Sequence, residues 1–299
     1  MKTLPPQRGD EKCVPASVDT IQELTPEEYE LFRQLIYAQS GINLGSQKQQ
    51  LVRARLGKRL RAGGFSSYRA YYDYVRHDSS GRELAALIDA ISTNTTHLFR
   101  EKQHFEFLAQ TVRGWANDRK WRARRDALRI WSAGCSSGEE PYSIAMTLDD
   151  ALRGSPGLDW RILATDISTR MLARARSGIY EAHRVGTVPE AYRKSYLVPV
   201  PGGDAGCVQV HPDLRRRITF AHFNLMSERF PFQRGFDVIF CRNVMIYFDR
   251  PTQEALVGRF TQHLRPGGYL IIGHSESLNA LKHTLAYIRP TIYRKEPAE

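Results

Sequence analysis

The residues with the clearest chemical potential lie in Gly134-Cys-Ser-Ser-Gly138. A serine framed by two glycines in this way fits G-x-S-x-G, the elbow that presents a nucleophile, here Ser136. The same letters fit a turn that brings the backbone against a nucleotide. Gly134 and Gly138 can take positive φ with no Cβ in the way, and the N-terminus of the helix that follows attracts negative charge. A tight strand-to-helix turn with no ligand is the third reading. Further along, Asp166 stands where an acidic side chain accepts hydrogen bonds from ribose hydroxyls, or caps the next helix. Asp249 and His274 are available as partners for a serine nucleophile.

These residues need elements to position them. Leu128, Ile130 and Trp131 predict a strand into the glycine turn, and Ile144, Met146 and Leu148 predict an amphipathic helix out of it. From there strands and helices alternate. The predicted strands are 129–133, 161–166, 218–223, 236–241 and 268–273, with a last pair near 286–294; the helices between them are 139–152, 168–177 and 252–264. Alternation of this kind predicts an α/β fold, a Rossmann-like doubly wound sheet that is mostly parallel. In such a sheet ligands lie at the carboxyl ends of the strands. Those ends are Gly134–Gly138, Asp166, Asn224-Leu225, Cys241-Arg242-Asn243 and Gly273-His274-Ser275. Leu264-Arg-Pro-Gly-Gly268 is expected to end a helix and turn into the fifth strand. Residues 178–217 interrupt the alternation and are rich in turn formers, which predicts an inserted small β subdomain.

The first part of the chain is different. Residues 1–20 read as a flexible tail, and 21–91 as an all-helical domain. Its first helix should be capped by Thr25, with Pro26 at the first helical position and Gly41 at its end. A second helix, about 48–62, carries Val52, Leu56 and Leu60 on one stripe. Within 48–76 there are eight Lys or Arg against the single acid Asp73. Arg53 and Arg59 flank the apolar stripe, while Arg55, Lys58 and Arg61 spread over the outer face. Either that face is simply solvated or it meets an acidic partner. Five short polar residues at 92–96 break the helical pattern and start a linker, 92–126, that leads into the α/β domain at 127–296.

At 299 residues with 41% hydrophobic side chains the chain can build a substantial core. Its net charge of +11 draws it to acidic partners, whether nucleic acid, an anionic membrane face or an acidic protein. Cys13, Cys135, Cys207 and Cys241 are scattered, with no C-x-x-C pair and no histidine at ligand spacing. That argues against a metal centre and against a disulfide framework, and predicts reduced thiols in the cytoplasm. No stretch has the length and apolarity of a membrane span, and no signal-peptide pattern is expected.

The serine-nucleophile reading weakens because the region before 128 is helical and offers no HGGG-like oxyanion turn. A dinucleotide enzyme is disfavoured by the missing G-x-G-x-x-G spacing. Four stretches instead resemble the glutamate methyltransferases of chemotaxis receptors: Thr93-Asn-Thr-Thr-His-Leu-Phe-Arg-Glu101, Trp131-Ser-Ala-Gly-Cys-Ser-Ser-Gly-Glu-Glu-Pro-Tyr142, Phe240-Cys-Arg-Asn-Val-Met-Ile-Tyr-Phe-Asp249 and Leu264-Arg-Pro-Gly-Gly268. The resemblance implies a class I S-adenosylmethionine-dependent fold with a helical amino-terminal domain and an inserted β subdomain. It implies cofactor contacts from Asn94, Thr96, Arg100 and Gly134, from Glu139 or Glu140, and from Asp166, Asn224, Leu225, Cys241 and Arg242. Arg100 and Tyr247 would lie beside the transferred methyl group. The product would be a γ-carboxyl methyl ester on receptor glutamates, leaving S-adenosylhomocysteine. The basic helix, through Arg53, Arg55, Lys58 and Arg59, would dock on the acidic helical bundle of a chemoreceptor. In one branch of the family the β subdomain also holds a receptor C-terminal peptide. Nucleic acid is not an expected partner, since the fourth strand is not followed by an Asn/Asp-Pro-Pro-aromatic turn, and insertion into a membrane is not expected. A non-catalytic adaptor with the same fold is the remaining alternative.

Overall fold

The computed structural model describes residues 23–123, 126–155, 158–202 and 206–297. The predicted tail at 1–20 lies outside them. Four helices come first: α1 (Pro26–Ser40), α2 (Gln49–Gly63), α3 (Tyr68–His77) and α4 (Arg82–Ile91). The start of α1 is a full capping box. Thr25 Oγ1 accepts from Glu28 N at 3.2 Å, and Glu28 accepts from Thr25 N at 3.0 Å. Its end is Gly41 in the left-handed region, φ 72°. Phe32, Ile36, Val52, Leu56, Leu60 and Tyr71 form the core of this unit.

In α2 two of the three guanidinium groups expected to face a partner, those of Arg55 and Arg59, turn inward while Arg53 stays exposed. Arg59 donates to both oxygens of Glu83 on α4, each at 2.6 Å, and Tyr71 donates to the same carboxylate at 2.9 Å. Arg59 holds Glu83 below the usual carboxylate range, so this pair's stabilisation is present above that range and is lost as pH falls through the lowered value. Replacing Arg59 with alanine strands a largely buried carboxylate and is expected to lower stability by about 1–3 kcal/mol. Lys58→Ala, at an exposed position, should leave a urea melt unchanged.

The linker leads into α5 (Gln103–Asn117) and the short α6 (Arg119–Arg122). The α5 helix starts only at Gln103, because Glu101 takes φ 58° and cannot belong to it. The α/β domain follows with β1 (Leu128–Ala133), α7 (Glu139–Ala151), β2 (Trp160–Asp166) and α8 (Thr169–Ser177). The insertion comprises β3 (Ile179–Glu181), α9 (Glu190–Tyr196), β4 (Leu197–Pro199), β5 (Cys207–Val210) and α10 (Pro212–Arg215). The domain closes with β6 (Ile218–His222), β7 (Phe236–Cys241), α11 (Arg250–His263), β8 (Leu264–Ile272), β9 (Ala286–Arg289) and β10 (Ile292–Arg294).

The main sheet has seven strands in the order β6-β2-β1-β7-β8-β10-β9. The pairs among β6, β2, β1, β7 and β8 are parallel, and β10 and β9 are antiparallel additions. The chain winds outward from β1 through β2 to β6 and then returns to β7 on the other side of β1. The strand order therefore reverses between β1 and β7, and a crevice opens above their carboxyl ends. The insertion forms its own antiparallel sheet, β3-β5-β4. Contrary to the sequence reading, Leu264–Gly268 is strand and not turn: β8 runs straight off α11, and the strain is taken by a register shift against β7 and by Gly267 at φ 78°.

Both faces of the sheet are covered. Trp131 is fully buried at the centre of one, ringed by Phe223, Phe230, Phe232, Phe236 and Phe260 at centroid distances of 4.8–6.0 Å, with its Nε1 donating to Thr165 Oγ1 at 2.9 Å. Hydrogen bonds fasten the helical unit to the end of the sheet. Tyr37 donates to Asp249 at 2.7 Å, Asn43 N to Tyr247 O at 2.8 Å, and Asn224 Nδ2 to Gln39 O at 2.7 Å. Among the described residues no helix is long and apolar enough to cross a membrane.

Candidate active site

A cavity of about 310 Å³ occupies the crevice at the switch point. Its floor is the glycine turn. Gly134 has φ 85°, and a Cβ there would stand 2.4 Å from Val244 Cγ2, so only glycine lets the turn and the β7 loop approach this closely. The N–H groups of Gly134 and Cys135 both donate to Thr165 O, which ties the turn to the end of β2. Ser136, φ 47°, points its hydroxyl at Asn94 O at 3.2 Å. That hydroxyl joins the turn to the linker, and no histidine accepts its proton.

Asp166 closes the next side. One carboxylate oxygen accepts from Ser136 N and the other from Ser168 N, both at 2.8 Å, and burial raises its pKa. Ser168, not Asp166, caps α8. Each oxygen keeps a further lone pair for a ligand.

The adjacent glutamates separate cleanly, because neighbouring helical positions point about 100° apart. Glu140 lines the cavity, accepting from Ser132 Oγ at 2.7 Å and Arg242 Nη1 at 3.1 Å. Glu139 faces the insertion, whose Arg184 Nη2 donates to it at 2.8 Å, and also accepts from Ser137 Oγ of the glycine turn at 2.7 Å; it does not line the cavity. Cys241 is also corrected. It is fully buried in the core with Met245 and Leu256, so of the pair Cys241-Arg242 only the arginine reaches the cavity.

Asn94, Thr96 and Arg100 line the opposite wall from the linker. Arg100 sits between two residues forced to positive φ, Phe99 at 56° and Glu101 at 58°. Such backbone persists only where its surroundings over-determine it. Ser143 Oγ on α7 accepts from Phe99 N at 2.9 Å, Thr187 of the insertion donates to Leu98 O at 2.7 Å, and Arg242 donates to Arg100 O. Arg100 Nη1 donates to Thr95 O at 3.1 Å. Arg55, expected on the outer face of α2, instead donates to Ile91 O, to Ser92 O at 3.3 Å and to Thr93 Oγ1 at 3.2 Å, and it lines the cavity. It clamps the start of the linker.

Tyr247, Asn224 and Leu225 complete the lining, so of the residues expected to meet the ligand Glu139 and Cys241 do not reach it. The sequence reading missed the contribution of the helical unit, where Ile42, Asn43, Leu44, Lys48 and Leu51 form a wall. The signal available was the Gly41–Gly45 turn, whose backbone is bonded to Tyr247. It also missed Glu276. Its Oε1 accepts from the N–H groups of Val244, Met245 and Ile246 at 3.0, 2.8 and 3.3 Å, and its Oε2 from Asn243 and Gly273 at 2.9 and 2.6 Å. The loop that carries Tyr247 is wrapped around this one carboxylate.

A doubly wound sheet with a glycine turn, a carboxylate at the end of the second strand and a cavity at the switch point defines a nucleoside-binding α/β domain, and the order of the main sheet, which reads 3-2-1-4-5-7-6 when its seven strands alone are counted along the chain, is that of the class I methyltransferases. Residues 94–293 match the family described as "CheR methyltransferase, SAM binding domain", and 27–92 match its all-alpha domain. The chemotaxis protein methyltransferase of Borreliella burgdorferi is 40% identical over 273 residues, covering 91% of this chain and 95% of that protein. That of Salmonella typhimurium is 40% identical, covering 87% of each. The probable chemotaxis protein methyltransferase of Rhizobium etli is 41% identical over 87% of this chain and 96% of its own. The chain belongs to the CheR family of chemotaxis protein methyltransferases, enzymes that use S-adenosylmethionine. The cavity's chemistry fits that ligand: Glu140 and Asp166 place two carboxylates in its lining, acceptors of the kind that an ammonium and a ribose diol require.

Proposed function

We propose that the chain esterifies the γ-carboxyl groups of specific glutamates on chemoreceptors, with Arg100 and Tyr247 placing the acceptor. The observation that carries this reading is that Arg100 and Tyr247, from segments far apart in the chain, line one cavity together with Glu140 and Asp166. S-adenosylmethionine supplies an electrophilic methyl group on a sulfonium. A glutamate carboxylate is ionised at neutral pH and needs no general base. The protein's task is alignment and exclusion of water, because attack joins opposite charges and consumes both. The guanidinium fork of Arg100 orients the acceptor carboxylate, and the phenol of Tyr247 offers a hydroxyl and an aromatic face on the donor side. Asp166 accepts from ribose hydroxyls, Glu140 receives the ammonium, and Asn94, Thr96, Asn224 and Leu225 bound the rest.

Docking on the receptor's acidic helices falls to the cations of α2 that the fold leaves outside: Arg53, Lys58 and Arg61. The β3-β5-β4 sheet, whose outer strands β3 and β4 pair with no further strand among the described residues, offers a place for an extended receptor-tail peptide. The reaction is tested by incubating the chain with labelled S-adenosylmethionine and receptor-bearing membranes and then treating with base. Volatile labelled methanol is expected, as carboxyl esters release it. Label that stays with nucleic acid, or no transfer at all, would reject the proposal. Neutralising Arg53, Lys58 and Arg61 together is expected to raise KM for receptor several-fold at low salt with kcat little changed, each exposed pair contributing about 0–1 kcal/mol.

A further inference from the structure

We propose that Glu101, His104 and His274 form a binding site for a divalent transition-metal ion of the zinc type, placed where the linker meets the end of β8. No spacing in the chain announces it, because His274 comes from the far end of the sheet. The three side chains present ligand atoms that all lie within 4.8 Å of one another, and none of them lines the methyl-transfer cavity.

The hydrogen bonds around His104 define its free nitrogen. Thr291 Oγ1 lies 2.5 Å from Pro290 O, to which it donates, so the same oxygen accepts from His104 Nε2 at 2.6 Å. This hydrogen-bond pattern assigns the ring proton to Nε2. His104 Nδ1 carries a lone pair, is buried and has no hydrogen-bond partner. It faces Glu101 Oε2 at 3.4 Å, acceptor against acceptor. A buried lone pair opposite a carboxylate is a costly arrangement, and a cation between them relieves it.

The spacing agrees. With zinc–nitrogen and zinc–oxygen bonds of about 2.0–2.2 Å, the edge of a tetrahedral ligand set is about 3.4 Å. The Glu101–His104 distance has that value, and His274 Nε2 stands 3.9 Å from Glu101 Oε2. His274 is exposed enough, at 42%, to move the remaining distance and to give an ion entry. Its Nε2 is now bonded to Gln103, and Glu101 Oε2 accepts from Arg242 Nη2 at 3.0 Å. An ion would compete with these two donors while Arg242 keeps Glu140. Two imidazoles and one carboxylate favour zinc, cobalt or nickel over magnesium or calcium, and Thr291 on the far nitrogen of His104 is the outer hydrogen bond that fixes a ligand's tautomer. The ion would tie the residue after Arg100 to the end of β8.

The test uses the full chain, free of any tag. Titration with Co2+ followed by visible absorption, and with Zn2+ by calorimetry, is expected to show one ion per chain. His274→Ala and Glu101→Gln should each weaken it at least tenfold, while Cys207→Ser, which removes a partly exposed thiol elsewhere, should bind as the parent does. A melt in chelator shows whether each variant is folded, and His274→Gln replaces any that is not. Failure to bind a stoichiometric ion, or binding indifferent to His274→Ala in a folded protein, overturns the proposal.

Discussion

Methionine in place of Arg242 is expected to lower stability by about 3–5 kcal/mol and to abolish measurable cofactor binding. The guanidinium is only 2% exposed and bridges two carboxylates, Glu101 at 3.0 Å and Glu140 at 3.1 Å. It also holds the carbonyl of Arg100 and packs over the ring of Phe105. Methionine has a similar length and keeps the packing, so the loss isolates the charge. Removing one partner of a buried ion pair leaves the other charges uncompensated, which costs far more than the pair contributes when intact. Burial already raises the pKa of Glu140, and the Arg242 charge is what opposes that rise. Without it the rise loses its chief opponent, which weakens Glu140 as the proposed acceptor for an ammonium. Arg242→Lys, which keeps the charge but not the fork, should fall between the two. A chemical melt and a calorimetric titration with S-adenosylhomocysteine measure both effects, and an Arg242→Met protein with the parent's midpoint and affinity would refute the account.

Glutamine in place of Glu276 is expected to reduce methyl transfer about 100-fold with a much smaller loss of stability, about 1–3 kcal/mol. The carboxylate accepts five backbone N–H groups, four of them from residues 243–246. Burial opposes its ionisation, so those hydrogen bonds offset a desolvation cost instead of adding a large net stability. A glutamine amide keeps one oxygen and turns an NH2 group toward N–H donors, which must then separate. The strained step at Asn243, φ 59°, makes the loop ready to move. A displacement of about 1 Å at Tyr247 is enough for a loss of this size. Single-turnover rates with saturating cofactor, set beside a urea melt, separate the two quantities; a melt that collapses in step with the rate would show the residue to be merely structural.

These two residues mark the limit of what local pattern conveys. Caps at Thr25 and Gly41, the strand-turn-helix at 128–148 and the alternation after it are set by φ preferences and by periodicity within a few residues, and all were readable from the chain. The strand ends followed from that parse, and with them Gly134, Asp166, Asn224 and Arg242. Periodicity could not say what a charged residue at the margin of a helical stripe would bond to. Arg59 lies at that margin and Arg55 on the outer face of α2, and the partners that draw both inward, Glu83 and the carbonyls at 91–92, belong to α4 and its end.

The same reason divides the chemistry. The residue types proposed for methyl transfer and the turn proposed to receive the donor are fixed in order along the chain, because the backbone conformations they need are local. Which glutamate of the pair faces the cavity, the burial of Cys241, the loop folded on Glu276 and the meeting of Glu101, His104 and His274 depend on contacts between segments far apart, and no local preference encodes those.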